Sequence, residues 1–159
     1  MHAPDIFQTA YVTNDLLKAV EIFKENLSIP DFYIGGDHHV PHVKGGTAII
    51  QSAIVWSGTV QLEIIQPKGG RDEIYRDALP KEGFGLVFHH FCARAPTIEA
   101  FEARKADFIR QGCEIVLDYD AGFIRAFYAD TRHLLGHPTE YVWIESDDML
   151  TMNGKIPRF

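Results

Sequence analysis

Apolar and polar positions along the chain follow the same order of periods twice. Residues 7–12 alternate, a stretch with helical spacing follows, and further strand-like runs end at Pro67. The second half repeats this order from His90 to Trp143. Alternation with a period of two is typical of strands, and spacing of three or four residues is typical of an amphipathic helix. Each half is therefore predicted to be a β-α-β-β-β module.

The predicted elements divide the chain into two similar halves. The first half has a strand, a helix that begins after the capping residues at 13–15 and ends at Ile29-Pro30, a strand at 32–34, and strands at 48–56 and 59–66. Residues 35–46, rich in glycine, histidine and proline, are predicted to be a mobile loop over a substrate mouth. The second half has a strand at 90–94, a helix over 97–111 and strands at 113–119, 123–129 and 141–144.

Neither half can close a core alone, so the two are predicted to pair in one α+β domain over residues 1–159. Module one covers about 5–68, a polar linker 69–85, module two about 86–147, and a C-terminal tail 148–159. We expect a curled antiparallel or mixed sheet, formed by the two tandem modules around a metal-site cavity.

Composition narrows the classes of function. The 159 residues are 46% hydrophobic and 12% aromatic, which is enough for a sizeable core and argues against disorder. The net charge of −7 argues against nucleic acid as a partner. No apolar stretch reaches the ~20 residues of a membrane span, and two cysteines are too few for a disulfide framework. These features predict a cytoplasmic protein with no membrane partner.

Possible metal ligands lie at matching places in the two halves. His90 stands 82 positions (90 − 8) after Gln8, each on the first strand of its half, and Glu63 and a late acid lie on the closing strands. An amide oxygen, an imidazole and two carboxylates suit a divalent ion such as zinc, nickel, cobalt or manganese. His89 precedes His90 on one strand, so we expect its side chain on the opposite face, packed or solvated. His137 either orients a ligand or caps a turn.

Four segments in this order resemble the vicinal oxygen chelate superfamily, which includes glyoxalase I, methylmalonyl-CoA epimerase, extradiol dioxygenases and bleomycin-resistance proteins. The segments are Q-T-A-Y-V-T-N-D, L-E-I-I-Q-P, F-H-H-F-C-A-R and D-T-R-H-L-L-G-H-P-T-E-Y. The resemblance implies a metal on Gln8, Glu63, His90 and a fourth ligand. Equal spacing selects Glu145, since 145 − 90 equals 63 − 8, whereas the G-H-x-x-E ending selects Glu140. We choose Glu140, because the lengths of loops between strands change more readily than the residue spacing within a motif.

The resemblance implies a metal-dependent isomerase, epimerase or lyase. The reaction would be proton transfer next to a metal-bound carbonyl of a small or acyl-thioester substrate, with Glu140 or Glu63 as the acid–base group. Val12 and Pro67 replace the arginine and asparagine with which glyoxalase I binds glutathione, which argues against that substrate. The alternatives are a non-catalytic binding protein of the resistance type and an extradiol dioxygenase, which Gln8 in place of histidine disfavours. A homodimer is possible.

Overall fold

The computed structural model describes residues 4–159, in which two β-α-β-β-β modules follow one another. The elements of the first module are β1 (Asp5–Thr13), α1 (Leu16–Leu27), β2 (Tyr33–Pro41), β3 (Thr47–Ser57) and β4 (Val60–Gly70). A short helix, α2 (Glu73–Arg76), connects the modules. The second module contains β5 (Leu86–Arg94), α3 (Ile98–Arg110), β6 (Ile115–Asp120), β7 (Ile124–Ala129), α4 (Arg132–Leu135) and β8 (Thr139–Ile144), followed by a 3₁₀ turn (Asp147–Thr151).

All eight strands form one mixed sheet in the order β2-β3-β4-β1-β5-β8-β7-β6. The modules join through the antiparallel pair β1–β5, while β1–β4 and β5–β8 are parallel. The sheet curls until its two edges meet, where His42 bridges to Leu117 and the Val43 N–H donates to the Val116 carbonyl at 3.1 Å. The prediction of an α+β fold with a curled mixed sheet is confirmed.

The two long helices cover the outside of the sheet. The Asp15 side chain caps α1 by accepting from the Lys18 N–H at 3.1 Å, and Thr97 caps α3 in the same way. Helix α1 buries Leu16, Ala19, Val20 and Phe23 against module one, and α3 buries Phe101 against module two. Since both helices pack outside, the inner face of the curled sheet is left to line a cavity.

Two segments differ from the sequence prediction. Most of residues 35–46 is not a loop, because β2 continues as a strand to Pro41 and pairs with β3 from Asp37 onward. Its two glycines lie where the β2–β3 register shifts, so they belong to an irregularity within a strand. The linker contains α2, whose Ile74 and Tyr75 are buried rather than solvated.

The last residues return to module one. The carbonyl of Pro157 accepts a hydrogen bond from the Trp56 N–H at 2.9 Å, and the Phe159 N–H donates to the Trp56 carbonyl at 2.9 Å. Residues 147–159 are called the C-terminal segment below. The end of this segment pairs with β3 beyond the point where the pairing with β2 stops. None of the helices formed by residues 4–159 has the length and apolar character of a membrane span.

Candidate metal centre

The curled sheet encloses a cavity of about 690 Å³ with mostly apolar walls. Three polar side chains with metal-binding atoms, Glu63, Glu140 and the neighbouring His90, meet at its inner surface. The cavity draws residues from both modules and from the C-terminal segment, so it lies at the centre of the whole sheet.

Strand register explains why these side chains converge. Ala10 on β1 lies between Glu63 on β4 and His90 on β5. One strand further, Cys92 on β5 pairs with Glu140 on β8. Residues at the same level of adjacent strands point to the same face. Glu63, Cys92 and Glu140 border the cavity, and His90 lies next to them on the same face of the sheet.

The metal-binding atoms of Glu63, His90 and Glu140 all lie within 4.8 Å of one another. His90 Nε2 is 3.1 Å from Glu140 Oε2, and the Ser52 hydroxyl donates to Glu63 Oε1 at 2.8 Å. Ligand bonds of about 2.0–2.2 Å to nitrogen and oxygen could be made from such a triad with small adjustments. The structure therefore brings together three of the four residues predicted as ligands.

The two candidate acids on the last strand have different surroundings. Glu140 lies on β8 and borders the cavity. Glu145 follows the end of β8 and is exposed to solvent. Of the two acids, Glu140 is the one that reaches the cluster.

His89 and His90 lie on the same side of the sheet, so the expectation of opposite faces is wrong. The register changes between Ala10 and Tyr11, which pair with His90 and Phe88 respectively, and His89 is the extra residue of a β-bulge. Both imidazoles are buried, with their Nδ1 atoms 2.7 Å apart. His89 Nε2 lies 2.7 Å from the carbonyl oxygen of Ile74 on α2.

This chain of contacts determines which nitrogen of His90 carries the proton. Burial lowers the pKa of each imidazole to about 3, so both are neutral near pH 7. The Ile74 carbonyl only accepts, so His89 Nε2 carries its proton and His89 Nδ1 is an acceptor. His90 Nδ1 must then donate to His89. The lone pair of His90 Nε2 is left facing Glu140, as metal binding requires.

The surroundings of both carboxyl groups of the cluster favour the protonated form. Burial, and to a smaller extent the nearby Glu140, raise the pKa of Glu63 to about 8, while the Ser52 hydrogen bond opposes this. Burial raises the pKa of Glu140 to about 7. Two adjacent buried carboxylates are costly without a cation between them. The donor set thus fits a divalent ion, which would hold both in the charged form.

Gln8 borders the same cavity and is 7% exposed. Its Nε2 donates to Gln61 Oε1 at 2.6 Å, and Gln61 Nε2 donates to the Leu150 carbonyl at 3.0 Å. Gln8 Oε1 is buried without a hydrogen-bond partner among residues 4–159. An amide oxygen with free lone pairs fits a hard cation, but no contact joins Gln8 to the triad, and its role as fourth ligand stays a prediction.

Sequence reasoning missed several residues at the centre. The Tyr128 hydroxyl lies 3.4 Å from His90 Nε2 and borders the cavity. The ring of Tyr75 packs against Tyr128 and His89. The adjacent histidines were the available signal for His89. No local pattern marks Tyr75, because its position depends on how α2 packs against β5.

His38, His39 and His137 are not part of the triad. His137 Nδ1 is 2.6 Å from the Pro138 carbonyl oxygen, and its ring packs against Phe88 and Phe91. It contacts none of the candidate ligands, so the turn is the better of its two predicted roles. His38 and His39 lie on β2 and border the cavity.

Comparison with known proteins bears on the fold. No protein-family model matches the sequence, and no curated protein matches it. A methylmalonyl-CoA epimerase variant from Streptomyces coelicolor, in complex with 2-nitronate-propionyl-CoA, is similar with a TM-score of 0.60 and 17% identity, over 91% of this chain and 100% of that chain. The Mycobacterium tuberculosis methylmalonyl-CoA epimerase has a TM-score of 0.60 and 16% identity, over 95% of this chain and 97% of its own. A hypothetical protein from Bacillus halodurans has a TM-score of 0.58 and 12% identity, over 92% and 98%.

These similarities confirm the fold that the sequence resemblance implied, two β-α-β-β-β modules in one curled sheet. The proteins with which it shares the fold over nearly its full length include methylmalonyl-CoA epimerases. At 12–17% identity the likeness establishes architecture and leaves the substrate to be argued from the site.

Proposed function

We propose that this protein is a metal-dependent isomerase or epimerase that moves a proton at the carbon next to a substrate carbonyl. The observation that carries the proposal is the convergence of Glu63, Glu140 and the tautomer-fixed Nε2 of His90 within 4.8 Å inside a largely apolar cavity. Buried carboxyl groups with raised pKa values are the groups that exchange protons near neutral pH.

The surroundings of each residue indicate its role in metal binding or in proton transfer. A divalent ion bound by Glu63, His90, Glu140 and Gln8 would act as a Lewis acid that polarises a carbonyl oxygen. Glu140 is our first choice of proton acceptor, because its pKa of about 7, against about 8 for Glu63, leaves it the more ionised of the two near neutral pH. The apolar walls keep water from the carbon and strengthen the charge interactions of the site.

The acyl-thioester form of the proposal is supported by the fold. The similar epimerase structures contain 2-nitronate-propionyl-CoA or methylmalonyl-CoA. Inversion of the carbon next to a thioester requires removal of its proton on one face and delivery of a proton on the other, so it needs an acid–base group for each face beside a polarised carbonyl. Glu63 and Glu140 are the two carboxyl groups that the site offers for these roles, and an acyl thioester is therefore our first substrate class.

The test is exchange of solvent deuterium into the carbon next to the carbonyl of candidate acyl thioesters and hydroxy ketones. Zinc-, cobalt-, nickel- and manganese-loaded protein should catalyse exchange, and chelator-treated protein should not. Glu140→Gln keeps an oxygen ligand but removes the base. This variant should therefore retain metal, and its exchange rate should be lower by roughly 10²–10⁴-fold.

Glu145→Gln is the matched control, since it makes the same change on an exposed acid five positions away. It should leave exchange and metal content unchanged. If the protein binds metal and carbonyl compounds without any exchange, the non-catalytic binding function replaces this proposal. Equal exchange rates for the Glu140→Gln and Glu145→Gln variants would assign the base elsewhere.

A further inference from the structure

The C-terminal segment forms one wall of the cavity. Its Met149 and Leu150 pack against an apolar cluster of Val142 and Ile144 on β8, and Ile156 is buried with 6% exposure. Six of its residues border the cavity: Met149, Leu150, Met152, Asn153, Lys155 and Ile156. The wall that faces module one therefore comes from outside the two repeated modules.

Hydrogen bonds hold this wall in a fixed position. The Leu150 carbonyl accepts from both Trp56 Nε1 and Gln61 Nε2, each at 3.0 Å. The guanidinium of Arg158 lies over the Trp56 ring, 4.5 Å from its centroid. The wall is thus anchored to β3 and to the side chain next to Gln8, so its apolar residues are presented to the cavity at a fixed distance from the triad.

The cavity is large for a substrate with only a carbonyl and a few carbons. Its volume of about 690 Å³ falls in the range that buries a drug-sized ligand. Beside the C-terminal segment, the wall consists of Phe123, Ile124 and Ala126 on and before β7, and Ile124 and Ala126 pack on the same apolar cluster as Met149 and Leu150. The continuous apolar surface that these residues form suits an alkyl or aryl group.

The charges around the cavity argue against a second carboxylate on the substrate. Lys155 is the one lysine or arginine that borders the cavity within residues 4–159, and it is exposed. The polar inner surface already has two carboxyl groups, Glu63 and Glu140. The charge of a divalent ion would be balanced by these two carboxylates, so an acidic group next to the reacting carbon would find no buried lysine or arginine at the cavity within residues 4–159.

We propose that the C-terminal segment is the substrate-specificity element and that it binds a hydrophobic alkyl or aryl group attached to the reacting carbonyl. The inference rests on the proposed function, which places the reacting carbonyl beside the triad. The substrate class is then a carbonyl compound or acyl thioester with one apolar group and no free carboxylate near the reacting carbon.

Straight-chain hydroxamates test this inference, because they offer two adjacent oxygens to a metal and an apolar chain of chosen length. Calorimetric titration of zinc-loaded protein with aceto-, butano- and hexanohydroxamate should show affinity rising by up to about fourfold for each added methylene. Met149→Ala should weaken hexanohydroxamate binding by roughly five- to tenfold and change acetohydroxamate binding by less than about twofold. Ala126→Leu, which fills the cavity beside the C-terminal segment, should have the same selective effect.

Leu134→Ala is the control, since Leu134 is 56% exposed on α4 and does not border the cavity. Equal binding of all three hydroxamates to zinc-loaded protein would overturn this inference and leave the proposed function standing. If zinc does not bind, the proposed function fails, and the matching alkyl amides are titrated into metal-free protein. An amide affinity that rises with chain length, and whose rise Met149→Ala removes, would then support the apolar subsite alone. An amide affinity that does not rise with chain length would overturn it.

Discussion

His89 determines which ring nitrogen of His90 carries the proton, although His89 is not a candidate ligand itself. The bulge in β5 turns two consecutive imidazoles to one face, and the Ile74 carbonyl fixes the tautomer of the first. The tautomer of the second follows from the contact between the Nδ1 atoms. The Ile74 carbonyl therefore acts on His90 through the imidazole of His89. Hydrogen-bond partners of this kind orient metal ligands.

We expect His89→Ala to lower zinc affinity by about 10–100-fold, because His90 Nδ1 loses its acceptor and the ring loses its orientation. His89→Gln, which keeps an acceptor oxygen, should recover part of the loss. His90→Ala should abolish tight binding, and His137→Ala should have no effect, since His137 contacts none of the candidate ligands. Competition with a chelator of known zinc affinity measures all four variants. Unchanged affinity in His89→Ala would contradict the assigned role.

The sequence was sufficient for the positions of the candidate ligands but not for the residues behind them. Glu63, His90 and Glu140, which the structure brings together, could be proposed because each lies at a repeated place on a strand or in a motif. The side-chain direction of His89 could not, because a bulge depends on pairing with another strand. The choice of Glu140 over Glu145 needed a motif, since alternation alone gives opposite faces without telling which face is inside.

At the scale of elements, α2 and the C-terminal segment add to the site what the repeat does not contain. Helix α2 supplies the Ile74 carbonyl and the Tyr75 ring, and the C-terminal segment supplies a wall. Both were predicted as connections or tail, because each is short and has no clear period. The β2 strand was predicted only over 32–34, and its continuation to Pro41 was missed for a related reason: its two glycines and exposed histidines hide the alternation that reveals β1 and β3.

We expect Ile156→Ala to lower the free energy of unfolding by about 2–3 kcal/mol, at the low end for a buried isoleucine because this side chain borders a cavity. Ile109→Ala makes the same change at a side chain that is 57% exposed on α3, and it should stay within about 0.5 kcal/mol of the parent. Urea denaturation followed by tryptophan fluorescence measures both. Equal stability of the two variants would show that the C-terminal segment is not anchored through Ile156.

At the scale of the whole molecule, the candidate centre draws on both modules of one chain. Glu63 comes from module one, while His90 and Glu140 come from module two, and the β1–β5 pair brings them together. A single chain therefore contains the full triad, and the predicted homodimer is not needed to assemble it. The homodimer itself stays a prediction.

The same convergence should make the stability of the metal-free protein depend on pH. The folded-state pKa values of Glu63 and Glu140, about 8 and about 7, lie above the ordinary 4.5, so the folded chain keeps protons that the unfolded chain releases. Stability from these groups is therefore lost as pH rises toward 8. His89 and His90, with pKa values of about 3, act oppositely, but only below their ordinary 6.5. The carboxyl effect should thus be isolated between pH 6.5 and 8.

We expect the free energy of unfolding of the chelator-treated protein to fall between pH 6.5 and 8, by at most about 1.4 kcal/mol per pH unit for each proton released. Glu63→Gln should reduce the slope, because the amide does not ionise. Saturating zinc should make the slope less negative, since the ion stabilises both carboxylates in the folded state. Urea titrations at four pH values across this window give the slopes. A metal-free protein that keeps or gains stability toward pH 8 would show that the two carboxyl groups are ionised without a cation, and the electrostatic argument for the metal centre would fail.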